Sequence, residues 1–264
     1  MTRIILKLFP RNIRHSVFWR LFSKDASKRK NLFSNAPLSF ANHIKMDLSP
    51  VDTCHQLIAY TGFFELHLTK LVQKIASTGG TFIDVGANYG YYSLMWAANS
   101  ENHRTIAFEA YPPNFDKLKA NIFKNGLDSR VQSLNRALGR KNENMFFDLK
   151  DENQTTWGGL THNQNLGTKI ETKKFNDFWK TNDTIKLMKI DVEGAESWVL
   201  EGASNLLEKG LIQNIVYEEN IEREKELGIK KNKSKEILMD NNYSVTALNP
   251  NQNGVCEYYA TVIN

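Results

Sequence analysis

The 264-residue sequence contains only two cysteines, Cys54 and Cys256, and neither belongs to a CxxC pair or to a Cys/His metal-ligand spacing. This scarcity argues against a disulfide framework and a cysteine-based metal site, and it predicts reduced thiols in a reducing compartment. The sequence also lacks a run of 18 apolar residues, so no helix is expected to span a bilayer. Basic residues interrupt the N-terminal apolar stretch, which argues against an export signal. A cytoplasmic location is therefore the expectation.

An excess of basic charge is absent from most of the chain. The formal net charge is +5, but residues 1–30 hold nine basic side chains against one acid, Asp25, and the rest carries 25 basic and 28 acidic side chains. The body is therefore not a basic platform for nucleic acid. Within the basic segment, Ile13, Val17 and Leu21 fall on one helical face, with Phe18 and Phe22 beside it. This pattern is compatible with two arrangements. In the first, the helix lies on an anionic surface, which would place the protein at the inner membrane surface. In the second, the helix packs on the body with its basic face in water.

Strands and helices alternate through the rest of the chain. The predicted strands lie at 81–85, 105–108, 131–138, 185–192, 212–218, 243–248 and 257–263. Such alternation predicts an α/β fold with a mostly parallel sheet and helices on both faces. The last two strands are joined only by the turn-rich residues 249–254, so the sheet is expected to end in a C-terminal antiparallel hairpin. The long segment 141–182 breaks the rhythm and is predicted to be a functional loop, in which Trp157 either stacks on a sugar ring or packs the loop down.

The stretch TFIDVGANYG (81–90) places Gly86 and Gly90 directly after a buried strand. Ligands of open α/β sheets bind at the carboxyl ends of the strands, where missing Cβ atoms let a ligand approach the backbone. The dinucleotide fingerprint G-x-G-x-x-G fails because position 88 is Asn88, which disfavours a dehydrogenase. A ligand with an adenosine and a small zwitterion but no phosphates, S-adenosylmethionine, fits better. Glu109 ends the next strand, 25 residues after Asp84, where an acid can accept both ribose hydroxyls.

Two further strands end in acids. LMKIDVEGAE (187–196) carries Asp191 and Glu193, and VYEEN (216–220) carries Glu218 followed by Asn220. Carboxylates at these strand ends point into the crevice, where desolvation is costly unless the groups pair or take part in chemistry. The sequence therefore predicts a site at this edge of the sheet.

These motifs together resemble those of the FkbM family of S-adenosylmethionine-dependent methyltransferases. The similar stretches are GFFE (62–65), TFIDVGANYGYYSL (81–94), FEAYPPNFDKLKANIFKNGL (108–127), NRALG (135–139) and KIDVEGAE (189–196). One departure is Ala110, where the family more often has proline, and it should alter only the local turn. The resemblance covers residues 49–264 and implies a Rossmann-like class I methyltransferase domain there. It leaves residues 1–48 as a basic, partly amphipathic N-terminal extension.

The resemblance also implies roles for individual residues and a class of acceptor. Asp84, Gly86, Asn88 and Gly90 would surround the methionine part of the cofactor, Glu109 would hold the ribose, Asn135 and Ala137 would lie near the adenine, and Asp191 would lie below the sulfonium. Known members of the family are mostly O-methyltransferases that act on hydroxyls of sugars and polyketides. The implied acceptor is a small molecule, a sugar or a lipid-linked glycan.

The chemistry would be an in-line displacement at the sulfonium methyl, for which a hydroxyl acceptor must lose its proton. The hypothesis makes Glu193 or Asp191 the base, with Glu218 in support. A metal-assisted variant would use Asp191, Glu218 and Asn220 around Mg²⁺ or Mn²⁺, but the family motif does not demand a divalent cation and none is expected.

Two other interpretations stay open. One is a methyltransferase for RNA or another nucleic acid that uses the basic extension, although the acidic body makes a nucleic-acid partner unexpected. The other is a cofactor-binding protein without catalysis, which would have no need of the carboxylates at 191 and 193. The sequence carries no signal for the oligomeric state.

Overall fold

The computed structural model describes residues 2–249 and 254–263, which form three sheets surrounded by helices. The strands are β1 (Ala36–Pro37), β2 (Lys45–Met46), β3 (Thr81–Val85), β4 (Arg104–Phe108), β5 (Val131–Leu134), β6 (Ala137–Leu138), β7 (Glu143–Asp148), β8 (Gly159–Thr161), β9 (Thr168–Lys173), β10 (Ile185–Ile190), β11 (Asn214–Asn220), β12 (Tyr243–Ala247) and β13 (Val255–Val262). The α-helices are α1 (Thr2–Lys7), α2 (Arg14–Leu21), α3 (Thr53–Thr61), α4 (Leu66–Ala76), α5 (Tyr91–Ala97), α6 (Pro112–Lys124), α7 (Phe175–Phe178), α8 (Glu196–Gly202), α9 (Ser204–Glu208), α10 (Ile221–Glu226) and α11 (Lys233–Asp240). Short 3-10 helices cover Arg11–Ile13, Ser23–Lys28, Lys30–Leu32 and Thr155–Trp157.

The central sheet has seven strands in the order β12-β13-β11-β10-β3-β4-β5. The pairs from β11 through β5 are parallel, whereas β13 runs antiparallel to both β11 and β12. The predicted mostly parallel sheet with a C-terminal antiparallel hairpin is confirmed. Of the turn predicted at 249–254, residues 250–253 lie outside the described residues.

Helices cover both faces of this sheet because its inner strands are apolar on both sides. In β3, Phe82 packs into the layer that contains α3, α4 and α5, whereas Ile83 and Val85 pack into the layer that contains α8, α9 and α11. None of these three side chains is more than 1% exposed. The alternation follows from the two-residue period of a strand, and burial of both faces explains the continuous apolar run in the sequence.

The long connection between β5 and β10, the third and fourth strands of the central sheet in chain order, differs from the predicted loop. It forms β7, β8 and β9, which join β6 in a second sheet with the order β6-β9-β7-β8. Met145, Phe147, Leu160 and Ile170 form a small core of this sheet against Trp198 of α8. The prediction of a loop over 141–182 is wrong in its secondary structure, because short strands with one apolar face between asparagines and glycines carry little periodic signal.

The strand predicted over 131–138 is also wrong in part, since it is divided between the two sheets. β5 ends at Leu134 in the central sheet, and β6 begins at Ala137 in the second sheet. Between them, the Asn135 amide donates to the carbonyl oxygens of Glu109 and Ala110 at 2.9 and 3.1 Å. These bonds hold the chain where it leaves the edge of the central sheet.

The N-terminal residues pack on the body. Phe18 of α2 is fully buried, with its ring 5.0 Å from that of Tyr60 in α3, and the Tyr60 hydroxyl donates to the carbonyl of Ala26 at 3.0 Å. Ile13 and Leu21, predicted on the apolar face, are 40% and 58% exposed. The face that packs therefore centres on Phe18, whose ring buries more apolar area than the aliphatic side chains.

Within residues 2–249 and 254–263, no helix combines the length and apolar character of a membrane span.

Candidate active site

The turn after β3 draws three strand ends together. Gly86 has φ 81°, and a Cβ at this position would lie 1.8 Å from the carbonyl oxygen of Asp191, so only glycine allows β10 to pass this closely. The amides of Gly86 and Ala87 donate to the carbonyl of Phe108 at 2.9 and 3.0 Å, which ties the turn to the end of β4. The carboxyl ends of β3, β4 and β10 therefore meet at one point.

Gly90 lets the start of α5 pack closely against α6. It precedes α5 with φ 93°, and a Cβ at this position would lie 2.6 Å from Leu118 of α6. Of the two glycines in the motif, Gly86 therefore lies at the strand ends and Gly90 lies against the neighbouring helix.

A buried lysine links the acids of β3 and β10. Lys189 is 4% exposed, and its Nζ donates to Asp191 at 2.8 Å. Asp84 is 1% exposed and accepts from the Ser93 hydroxyl at 2.6 Å, and burial raises the pKa of its carboxyl. Burial disfavours the charge on Lys189, but the nearby Asp191 and Asp84 outweigh it and raise the pKa of the ammonium. Sequence reasoning missed Lys189, although a lysine inside an apolar strand was an available signal.

Glu109 lies buried at the end of β4, with both carboxylate oxygens bound by the backbone. One oxygen accepts from the amide of Asn88 at 2.7 Å and the other from the amide of Tyr111 at 2.9 Å. Burial raises the pKa of Glu109 to about 7, although these two bonds act in the opposite direction. Each oxygen keeps a second lone pair, so the carboxylate can still accept from a vicinal diol.

Asn88 turns its side chain toward helix α3. It adopts φ 50°, and its Oδ1 lies 2.8 Å from Nε2 of His55 and accepts from the amide of Tyr89 at 2.7 Å. His55 is 3% exposed, and burial lowers the pKa of its imidazole. The neutral imidazole can donate to Asn88 and so fix the backbone amide that binds Glu109. Sequence reasoning missed His55, which comes from the segment before the first central strand.

A narrow cleft of about 50 Å³ lies beside Glu109 and Gly86. Ala137 lies in its wall, whereas Asn135 holds the adjacent turn through the bonds described above. Residues 155–158, here called the covering turn, close over the cleft. Sites for small ligands usually measure roughly 300 Å³ or more, so the cleft in this conformation is smaller than such a site.

Polar bonds hold the covering turn in place. The amide and hydroxyl of Thr156 both donate to Oδ2 of Asp52, at 3.1 and 2.7 Å, and the Arg223 guanidinium donates to the carbonyl of Trp157 at 2.8 Å. Trp157 is 49% exposed, so its ring does not anchor the turn in the core. The covering turn is therefore held by hydrogen bonds to Asp52 and Arg223, and not by burial of the Trp157 ring.

A larger cavity of about 590 Å³, here called the acidic cavity, lies on the other side of the β10 end. Among the described residues that line it, five are acids and two are Lys or Arg. The lining residues are Glu65, His67, Lys150, Trp157, Glu193, Glu218, Asn220, Glu222, Arg223, Asn249, Val255 and Glu257.

The cleft and the acidic cavity meet at Asp191, Glu193 and Glu218, here called the strand-end carboxylates. Asp191 lines the cleft and the other two line the cavity, and one oxygen of each lies within 4.8 Å of the others. Glu193 has φ 55° and accepts from Asn220 at 3.0 Å. Burial, and then the charge of Asp191, raise the pKa of Glu193 to about 7. Burial also raises the pKa of Glu218, together with its acidic neighbours.

Two acids from other parts of the chain complete the cavity wall. Glu65, which precedes α4 with φ 35°, accepts from the Tyr92 hydroxyl at 2.8 Å, and burial and Glu257 raise its pKa to about 8. Glu257 of β13 accepts from the imidazole of His67 and from Asn249 at 2.6 Å. Glu65 belongs to the GFFE stretch, but the sequence alone did not indicate that it faces this cavity.

Asn220 has its oxygen turned away from the predicted metal position. Its Oδ1 accepts from the amide of Arg223 at 3.3 Å as the cap of α10, and its Nδ2 donates to Glu193. Glu193 is thus better placed than Asn220 as a third oxygen ligand beside Asp191 and Glu218. Glu196 is not one of the strand-end carboxylates. Its Oε1 accepts hydrogen bonds from the backbone amides of Val192 and Gly194.

The fold and the strand-end site define a Rossmann-like methyltransferase domain. The model of the FkbM methyltransferase domain matches residues 84–239, more than half of the chain, and the chain belongs to this family. The family resemblance of the sequence motifs is thereby confirmed. A curated relative, "Methyltransferase 1" of Beauveria bassiana (strain ARSEF 2860), is 27% identical over 158 residues, which cover 52% of this chain and 63% of the relative. The match thus spans less than two thirds of that protein.

Solved structures with similar folds share little sequence with this chain. An O-methyltransferase from Bacillus cereus in complex with SAH is 16% identical, with a TM-score of 0.45 over 76% of this chain and 82% of that one. The precorrin-6y C5,15-methyltransferase of Geobacter metallireducens is 12% identical, with a TM-score of 0.44 over 74% and 87%. A putative tRNA (m1A22) methyltransferase from Streptococcus pneumoniae is 12% identical, with a TM-score of 0.43 over 73% and 69%.

Proposed function

We propose that this chain transfers the methyl group of S-adenosylmethionine to a hydroxyl of a sugar, a glycan or another secondary metabolite. The observation that carries the proposal is the position of the strand-end carboxylates between the narrow cleft and the acidic cavity. A methyl donor in the cleft and an acceptor in the cavity would meet at these carboxylates, as an in-line transfer requires.

The cleft supplies groups suited to the donor. The second lone pairs of Glu109 would accept the ribose hydroxyls, and Ala137 would contact the adenine. Asp191 would lie near the sulfonium, where its negative charge favours the cation, and Asp84 would support this arrangement through Lys189. The covering turn would close over the bound cofactor and exclude water from the methyl group.

Glu193 is the preferred base. Its pKa of about 7 suits proton acceptance near neutral pH, and its φ of 55° marks a strained position of the kind found at functional sites. Asp191 already accepts from Lys189, so its carboxylate is engaged in an ion pair. Glu218 would support the base by binding the acceptor hydroxyl.

The acidic cavity favours a polyhydroxylated acceptor. Carboxylates accept hydrogen bonds from hydroxyl groups but repel phosphates, so the excess of acids disfavours RNA at this position. The exposed Trp157 ring in the cavity wall offers a flat apolar surface for a sugar.

The proposed transfer needs no divalent cation, because the sulfonium is already electrophilic and Glu193 can accept the proton. We expect the same turnover in EDTA and in added Mg²⁺. Loss of turnover in EDTA that Mg²⁺ restores would instead assign the strand-end carboxylates to a metal.

The test is transfer from labelled S-adenosylmethionine to glycan, lipid and RNA fractions, with calorimetry of S-adenosylhomocysteine on the same protein. Cofactor binding and a labelled glycan or small polyol support the proposal. Label in RNA alone would support the nucleic-acid alternative, and cofactor binding without label in any fraction would support a non-catalytic protein. Absence of cofactor binding would contradict all three.

A further inference from the structure

A third pocket, of about 320 Å³, lies between the N-terminal helices and α3 and is lined by positively charged side chains. Its charged side chains are Arg3, Lys7, Arg11 and Arg14. No acidic side chain of residues 2–249 or 254–263 lines it, and none of these four cations forms a salt bridge within that part of the chain. Four clustered cations without a counter-ion make a strong site for an anion.

Backbone carbonyls hold Arg3 and Arg14 in place. The Arg3 guanidinium donates to the carbonyls of Ile58 and Ala59 at the end of α3, and the Arg14 guanidinium donates to those of Phe9 and Lys7 at 2.9 and 3.3 Å. Such bonds fix position but supply no negative charge. Burial lowers the pKa of Arg3 to about 10, as expected for a guanidinium without an acidic partner.

Exposed apolar side chains are next in sequence to two of the pocket cations. α1 buries Leu6 against the body and exposes Ile4, and Leu8 follows directly after Lys7 at the end of α1; these two side chains are 67% and 78% exposed. α2 buries Phe18 and exposes Trp19, which is 48% exposed. Exposed aliphatic side chains on a basic helical face are typical of interfacial binding, whereas a soluble phosphate compound would gain little from them.

We infer that the pocket formed by Arg3, Lys7, Arg11 and Arg14 binds the phosphate of an anionic lipid headgroup and seats the chain on an anionic membrane surface. Ile4 and Leu8 insert beside the headgroup. The inference does not depend on the proposed methyl transfer, because no residue of the strand-end site takes part.

The test is flotation of the full chain with vesicles of phosphatidylcholine, alone or mixed with phosphatidylglycerol. The wild-type chain should float with the mixed vesicles only, and added salt should release it. The variant K7E/R11E should lose at least about tenfold in apparent affinity, because both side chains lose attraction and gain repulsion. Arg3 is left intact because it also caps α3.

Two further variants separate the pocket from general charge. K180E/K209E makes the same change of net charge at exposed lysines far along the chain and should float as the wild type does. I4A/L8A keeps every charge and should weaken flotation. Circular dichroism and the Tm of each variant establish that it is folded.

Several results would overturn the inference. Equal losses in K180E/K209E and K7E/R11E would show attraction by net charge alone. Flotation of I4A/L8A at wild-type affinity would exclude insertion. Saturable binding of inorganic phosphate that K7E/R11E abolishes, without flotation of the wild type, would assign the pocket to a soluble phosphate compound.

Discussion

Replacement of Glu193 by glutamine is the sharpest perturbation of the proposed chemistry. The amide is nearly isosteric with the carboxylate, and its oxygen can still accept from Asn220 at the observed 3.0 Å. The left-handed backbone at this residue stays the same, so the site should keep its shape. Only the ability to take up a proton is lost.

The replacement should have two effects, one on turnover and one on the free energy of unfolding. Loss of a general base lowers turnover roughly 10²–10⁴-fold, or about 3–5 kcal/mol of activation free energy. Because folding raises the pKa of Glu193 from 4.5 to about 7, the folded chain loses stability relative to the unfolded chain as the pH rises through this window. The cost reaches at most about 3 kcal/mol above pH 7, and Glu193→Gln removes it.

The assay is turnover with labelled S-adenosylmethionine across pH, beside the Tm of both proteins. Wild-type turnover should rise through a pKa of about 7, and the variant should be slow at every pH yet melt higher above pH 7. Glu222→Gln is the matched control, because Glu222 lines the same cavity but lies outside the strand-end carboxylates. Turnover of Glu193→Gln within about threefold of the wild type would refute the assignment.

Three other changes test the cofactor cleft. Glu109→Gln should lower S-adenosylhomocysteine affinity at least about tenfold in calorimetry, because its NH₂ group would face a backbone amide; unchanged affinity contradicts the ribose role. Gly86→Ala should lower the free energy of unfolding in urea by about 2–5 kcal/mol. Gly126→Ala, also at positive φ but with open space around it, should lower it by about 1 kcal/mol. Equal losses would mean that the close approach of β10 is unimportant. Thr156→Val removes a hydrogen bond to Asp52 and should speed S-adenosylhomocysteine release about tenfold in stopped-flow measurements, and an unchanged rate would exclude gating by the covering turn.

The family and the central sheet could be predicted because their determinants are local. Gly86, Glu109 and Asp191 each follow an apolar strand, and the carboxyl ends of parallel strands always lie at one edge of a sheet. The absence of a helix between the last two strands was enough to predict their antiparallel pairing.

The second sheet could not be predicted, because its strands depend on partners distant in the chain. Ile170 pairs with Met145, and β6 pairs with β9 although about 30 residues separate them. Without these contacts, residues 141–182 look like a polar loop. For the same reason, the narrow cleft and the covering turn could not be predicted from the sequence.

The sequence by itself determined the central strands along the chain, the glycine turn and the acids at the strand ends, since each follows from residue type and spacing over a few positions. Only the tertiary structure decided the partners of those acids. It set Asp84 of the neighbouring strand β3 beside the Lys189–Asp191 ion pair, and it set Glu65 and Glu257 in one cavity with Glu193 and Glu218. A charge deep in a protein is tolerated or perturbed according to its neighbours in space, and those neighbours come from remote parts of the chain.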